Sequence, residues 1–406
     1  MTRKLDYLVF DADNHMYEAT DAFTKYLPKE YEGVIKYVEV NGRTKIAVKN
    51  KISDYIPNPT FNKVAPPGAQ ELEFKLKNPD SMTAADKELQ LAPPPKYIEA
   101  PDAFFEPEAR IVMMDYQGID RAMMWPTLAS LLEERLTDDP VTTHVVVHAL
   151  NQWMHEQWTF NFENRIFPTP VITLPIVDQA IEELEWVVER GAKAILIRPA
   201  PVPDFNGRRR SFALPEFDPF WEKVVEADVV VGMHASDSGF QRYVNEWEGH
   251  DGEFLPFNTK LSAFYHLLHA DNRMISDVVT SIIGHGLATR FPDLRIMPVE
   301  NGSAWVRPLV DKFQKVYSRV PKAFDEDPME AFKRCIYVHP FHEEDPIGLV
   351  KLIGADNVLF GSDFPHPEGM YDPIGFVDQL DGLPEDDKAK VMGGNLNRIM
   401  KVPALV

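Results

Sequence analysis

The chain has 406 residues, with 42 Lys plus Arg against 63 Asp plus Glu, a formal net charge of −21. That acid surplus argues against a nucleic-acid partner, and one cysteine, Cys335, can form neither an internal disulfide nor a thiolate metal cluster. An apolar fraction of 44% fits a packed core; with no secretory h-region and no run of about 18 apolar residues, a cytoplasmic protein without a membrane partner is expected.

In chain order, the first candidate strand covers 6–13 and runs into Asp13-Asn14-His15. Residues 20–110 follow, too long for an ordinary connection between a strand and its helix. Within them, alternating apolar residues on either side of Asn41-Gly42 signal a hairpin of 35–40 with 43–48. Proline clusters at Pro57 and Pro59, Pro66-Pro67 and Pro93-Pro94-Pro95 mark the remainder as an irregular arm, either a lid or an oligomer contact. Further near-continuous apolar runs lie at 119–125, 168–174, 193–198 and 229–234, as expected of strands buried on both faces. Between them Asp178 can cap a helix presenting Ile181, Leu184 and Val188, and Asp218-Pro219 can start one presenting Trp221, Val224 and Val225. Gly239, Gly249, Gly252 and Pro256 mark 235–262 as a second insertion of loop character. The last candidates are 295–300, 335–339 and 357–363. Eight strands alternating with helices predict an α/β protein, a single (β/α)8 TIM barrel over 1–406 carrying the 20–110 insertion. The alternative, a doubly wound open sheet, lacks a glycine-rich dinucleotide turn.

The strand ends carry the chemistry. Asp13 and His15 are two apart and share a side of the first strand. His234 ends the fifth and Asp363 the eighth. Each alone also fits a cap, a core histidine or a turn. Together, at the mouth of one barrel, two imidazoles and two carboxylates make a mixed nitrogen and oxygen set for one divalent ion: zinc, or alternatively manganese or iron(II). Arg198 ends the fourth strand and can fork onto a substrate carboxylate or form an internal ion pair. Trp125 and Trp305 can wall the site or pack in the core. His366 and Glu368 follow the eighth strand; His339 can face the site, and His342 is expected to be solvated. No Gly-x-Ser-x-Gly elbow supports a serine nucleophile.

The chain resembles the amidohydrolase superfamily, in the branch of aminocarboxymuconate semialdehyde decarboxylase and related metal-dependent hydrolases and decarboxylases. The resemblance rests on Asp13-Asn14-His15 preceded by Asp11, on His234, on Phe291-Pro292-Asp293-Leu294 before the sixth strand, and on Gly361-Ser362-Asp363-Phe364-Pro365. It departs where the family places a catalytic histidine after the sixth strand: Glu300 stands there, favoured over the nearby His285 as the residue at the mouth. The resemblance implies a metal-dependent hydrolase acting on a small-molecule substrate. Asp13, His15, His234 and Asp363 would hold the ion, Asp363 or Glu300 would take the proton of a metal-activated water, and Arg198, His366, Trp125 and Trp305 would contact substrate. Non-oxidative decarboxylation of an aromatic or enoic acid is the alternative reaction, and an inactive binding barrel the alternative class. The family tendency implies a homodimer.

Overall fold

The computed structural model describes residues 4–40, 42–52, 61–82, 93–249, 261–269 and 272–403. The fold is α/β. Strand Phe10–Met16 pairs in parallel with Arg121–Pro126, which pairs in parallel with Ile166–Pro168. A second parallel sheet places Val230–His234 between Ala194–Leu196 and Ile296–Val299. Isolated parallel bridges join Val171 to Leu196, Ile296 to Ile336, Val338 to Val358 and Asn14 to Phe364. Hydrogen bonds from Ala12 N to Phe360 O (2.9 Å) and from Asp363 N to Asp13 O (2.7 Å) strengthen the last of these contacts.

Every residue of Phe10–Met16, Arg121–Pro126 and Val230–His234 is buried, the pattern of parallel strands covered on both faces. The helices cover them with single apolar stripes. Ala180, Leu184 and Val187 are the buried face of Val177–Glu189, and Phe220, Trp221 and Val224 that of Asp218–Glu226. Neither Asp178 nor Asp218 acts as a side-chain cap. Asp178 lies inside the first turn, and Asp218 instead accepts from Arg290 Nη2 at 2.8 Å.

The strands expected at 335–339 and 357–363 are reduced to the bridges at Ile336, Val338 and Val358. Helix Pro328–Cys335 runs up to the first, and Asn357 Nδ2 donates to Lys333 O (2.6 Å), inside that helix, and to Ile336 O (2.9 Å), just past it. Asp363 leaves the extended region altogether, with φ 56°. The strand expected at 168–174 is Ile166–Pro168, because Pro168 and Pro170 lack the N–H groups that a longer ladder needs.

The hairpin forms as expected, Ile35–Val40 against Arg43–Val48, with Val40 opposite Arg43 and Gly42 at φ 72°. Asn41, Pro57 and Pro59 lie outside the described residues. Helix Ala69–Lys77 follows and is anchored to the segment after Asp363: Gly68 N donates to His366 O, Gln70 N to Pro367 O, and Tyr371 N to Glu71 Oε2. The 235–262 stretch is not all loop. Helix Gln241–Glu248 forms there because Phe240 and Val244, four apart, pack with Tyr265 into a small core of their own. Gly252 and Pro256 lie outside the described residues. No described helix is long and apolar enough to cross a membrane.

Gly232 shows how tightly the interior is filled. A Cβ there would stand 2.0 Å from Trp125 Cη2. Gly232→Ala should therefore lower the unfolding free energy by about 1–3 kcal/mol through overpacking. Urea denaturation followed by tryptophan fluorescence checks this; an unchanged midpoint would contradict the packing.

Candidate metal centre

Three strand ends bring their side chains to one point. Asp13 and His15 come from Phe10–Met16, where the pairing register shifts between Asp11 and Asn14. His234 ends Val230–His234, and Glu300 follows Ile296–Val299 directly. His234 Nε2 lies 3.0 Å from His15 Nε2, 3.3 Å from Asp13 Oδ1 and 3.2 Å from Glu300 Oε2. His15 Nε2 lies 3.4 Å from Asp13 Oδ1 and 3.5 Å from Asp363 Oδ1. His366 Nδ1 meets the same Asp363 oxygen at 2.7 Å. Glu300 and Asp363 both hold positive φ, at 52° and 56°. For non-glycine residues that is a strained backbone, here found at two positions whose carboxylates reach the cluster.

These residues fit a divalent ion. His234 Nδ1 donates to Ala235 O at 3.0 Å, which leaves a lone pair on Nε2 facing His15 Nε2 and Asp13. Asp13 Oδ2 is buried and accepts no hydrogen bond among the described residues. Lone pairs and carboxylate oxygens so crowded repel one another unless a proton or a metal stands among them. Two donors each about 2.1 Å from a common ion lie about 3.0–3.4 Å apart, the range seen among Asp13 Oδ1, His15 Nε2 and His234 Nε2.

The electrostatics show the same demand for positive charge. Burial pushes Glu300 well above the ordinary carboxyl range, and the neighbouring Asp363 charge adds to it. Asp363 is raised in the same way, by burial and then by Asp13. Burial opposes ionisation of Asp13 too, but its bonds to His15 and His234 prevail and hold it low. Burial lowers His15, whereas the Glu300 charge and the Asp13 bond raise His234 despite its burial.

A shell of side chains with little sequence signal holds this arrangement. Asp11 accepts from Asp13 N, Asn14 Nδ2, Ser362 N and Ser362 Oγ, so it ties the first strand to the segment before Asp363. Fully buried Arg110 donates to Ala103 O, Asn14 Oδ1 and His15 O, with the Phe364 ring 5.2 Å away. His339 Nδ1 accepts from Glu300 N at 3.3 Å and stands 3.4 Å from Asp13 Oδ2. Thr127 touches both His15 and His366.

The other expected site residues divide. His366 is beside Asp363. Trp125 is fully buried, donates to Ala12 O at 2.8 Å and packs on the His234 ring at 5.2 Å, so it supports the histidine from the core rather than forming an open wall. Trp305 is turned into the core, where its Nε1 bonds Gly302 O and its ring faces Phe332. Arg198 Nη1 donates to Glu134 Oε2 at 2.9 Å, a carboxylate that Arg209 also holds through two bonds, so that edge of its guanidinium is already paired. His285 is exposed at a helix end and bonds Ser281, so Glu300 is the one that meets His234. His342 is half-buried beside Glu343 rather than freely solvated. A cavity of about 240 Å³ opens between Pro199–Pro201, Phe212 and the helix bearing Met274 and Val278; none of the donors lines it.

Residues 26–399 match the model of the amidohydrolase family. The chain belongs to that family, whose members are metal-dependent hydrolases and decarboxylases. The match includes His234, Glu300 and Asp363 but begins after Asp13 and His15. A crystal structure of an amidohydrolase from Mycobacterium avium subsp. paratuberculosis is 35% identical, covering 98% of this chain and 100% of that one, with a TM-score of 0.85. Two more distant structures share the fold. One is a dihydroxybenzoic acid decarboxylase from a Polaromonas species with bound manganese and the inhibitor 2-nitroresorcinol, 15% identical, covering 98% of each chain, TM-score 0.56. The other is a 5-carboxyvanillate decarboxylase from Novosphingobium aromaticivorans with manganese and 4-hydroxy-3-methoxy-5-nitrobenzoic acid, 17% identical, covering 99% of each, TM-score 0.55.

Just past the first strand, Glu18 is fully buried; its Oε1 accepts from Leu128 N at 2.7 Å, and its Oε2 accepts no hydrogen bond among the described residues. Burial pushes its carboxyl up from 4.5 to about 8, against the backbone donors. A raised folded-state value contributes stability that is full below the unfolded value and lost as pH rises through about 8. Glu18→Gln cannot titrate there. Its melting temperature relative to wild type should therefore rise between pH 5 and pH 9 (about one unit beyond the folded value); a difference independent of pH would reject the assignment.

Proposed function

We propose that this protein is a mononuclear, divalent-metal-dependent hydrolase of a small organic substrate. Its fold we read as a closed (β/α)8 barrel, a single domain carrying the 20–110 arm. Support for closure comes from the isolated bridges, which carry parallel pairing beyond both three-stranded sheets and back to Asn14. Support for the arm comes from its helix Ala69–Lys77, anchored beside His366.

The observation that carries the metal reading is the convergence of Asp13, His15 and His234 with imidazole lone pairs facing one another, and Asp363 Oδ1 3.5 Å from His15 Nε2 beside them. These four would hold the ion. Three carboxyls around two imidazoles make an oxygen-rich set, which together with the manganese in two solved relatives favours manganese, with zinc as the alternative. A divalent ion there would lower the pKa of a bound water toward about 7 and polarise a substrate carbonyl. Asp363 Oδ1, bonded to His366 Nδ1, is placed to take a proton and share it with that ring. Glu300, whose carboxyl is raised by burial, is placed to hold a proton and donate it from Oε2 to a leaving group.

Decarboxylation is the second reading, favoured by the two decarboxylases of like fold. In that reaction the proton from Glu300 or Asp363 would go to the carbon that loses CO2.

Metal analysis of the purified protein, with and without added manganese or zinc, tests the shared premise; a protein that neither contains nor gains metal would remove both readings. His234→Ala should lose metal. Glu300→Gln should keep it and lower turnover by about 10²–10⁴-fold, the usual contribution of a proton-transfer group. Assays on hydroxybenzoates for released CO2, beside ester, lactone and amide hydrolysis, decide between the reactions: CO2 without hydrolysis would replace the first reading with the second.

A further inference from the structure

Thr127 lies just past the end of Arg121–Pro126 and is 5% exposed. A hydroxyl offers one hydrogen and two acceptor positions. Thr127 Oγ1 is 2.9 Å from Met16 O, and a carbonyl can only accept, so the hydroxyl hydrogen goes there. Oγ1 also stands 3.3 Å from His15 Nδ1 and 3.1 Å from His366 Nε2. With its hydrogen already engaged, the oxygen can only accept from both. His15 is therefore protonated at Nδ1 and His366 at Nε2.

The consequence for His15 is a bare Nε2 aimed at His234 Nε2 and Asp13 Oδ1. For His366 it is an Nδ1 turned to Asp363 Oδ1. The two rings lie 4.1 Å apart between centroids, and flipping either would set a C–H against the threonine oxygen. Among the described residues, no other group bonds His15 Nδ1.

We propose that Thr127 is a positioning residue of the metal centre: one hydroxyl oxygen, accepting from His15 and His366 together, sets the tautomer and ring orientation of both. The proposal rests on the metal reading above for its effect on binding, while the tautomer itself does not depend on a metal.

The test uses the full-length protein, stripped of metal and titrated with Mn²⁺, as wild type, Thr127→Val and Thr127→Ser. Valine keeps the shape and removes the acceptor; serine keeps it. The valine variant should bind Mn²⁺ about 10–100-fold more weakly, as when an outer partner of a ligating histidine is lost, and serine should stay near wild type. Histidine ¹⁵N spectra of the metal-free proteins should show His15 as the Nδ1–H tautomer in wild type and serine, and mixed in valine. Valine that binds as tightly as wild type, or an unchanged His15 tautomer, overturns the proposal. If wild type binds neither Mn²⁺ nor Zn²⁺, the metal reading fails, and the tautomer spectra still decide the role of Thr127. Should valine lose the fold, Thr127→Ala is read in the same two ways.

Discussion

Two imidazole nitrogens held 3.0 Å apart, with a carboxylate beside them, repel unless positive charge stands between them. Neither ring can relieve the contact by turning. His234 is fixed by the bond from its Nδ1 to Ala235 O, and the Trp125 ring packs against it. His15 is fixed by Thr127 and by the His366 ring. Asp13 is packed closely on one side by Gly361, where a Cβ would come within 2.6 Å of the Asp13 Cβ. The repulsion is thus built into the backbone positions, and a divalent cation answers it best because it needs several donors at once.

Holding that arrangement falls to groups that touch no donor of the cluster directly. Asp11 joins the first strand to Ser362 through two bonds, just ahead of Asp363. With Asp363 N on Asp13 O, this fixes both carboxylates from opposite sides of one contact. Arg110 takes the carbonyl of His15 and the side chain of Asn14, so the far side of the same strand is also held. Among the described residues no carboxylate pairs directly with Arg110, which is costly for a buried guanidinium; burial lowers its value to about 9, against the charges of Tyr17 and Asp11. Carbonyl and amide oxygens, with aromatic rings around it, replace the missing anion.

The sequence made the strand ends legible because apolar runs ending in Asp, His or Glu are local patterns. Asp13, His15, His234 and Asp363 were readable for that reason, and Glu300 because its register after Phe291-Pro292-Asp293-Leu294 is local too. Trp305 and Arg198 were not, since their fates depend on partners far along the chain, Phe332 and Glu134. Thr127 and Arg110 carry no motif; their roles follow from which carbonyls and rings folding brings within reach. The missing ladders near Ile336 and Val358 have a similar origin. Helix Pro328–Cys335 runs into the expected strand and the Asn357 side chain takes the Ile336 carbonyl, and a propensity argument does not see side-chain bonds of that kind.

Glu300 is the departure with the largest chemical consequence. A histidine there would be neutral or cationic, while a carboxyl adds a third acid to Asp13 and Asp363. One divalent ion balances two of these charges, and a buried remainder of one negative charge is unfavourable in a water-poor site. A proton on one carboxyl removes it. Asp13 is held ionised by His15 and His234, whereas the 2.7 Å contact of Asp363 Oδ1 with His366 Nδ1 needs a proton between them. Glu300, which faces His234 and is raised by burial and by Asp363, is the other carboxyl placed to hold a proton. On the proposed metal reading, the substitution therefore retains a proton donor in the centre, carried by a carboxylic acid in place of an imidazolium.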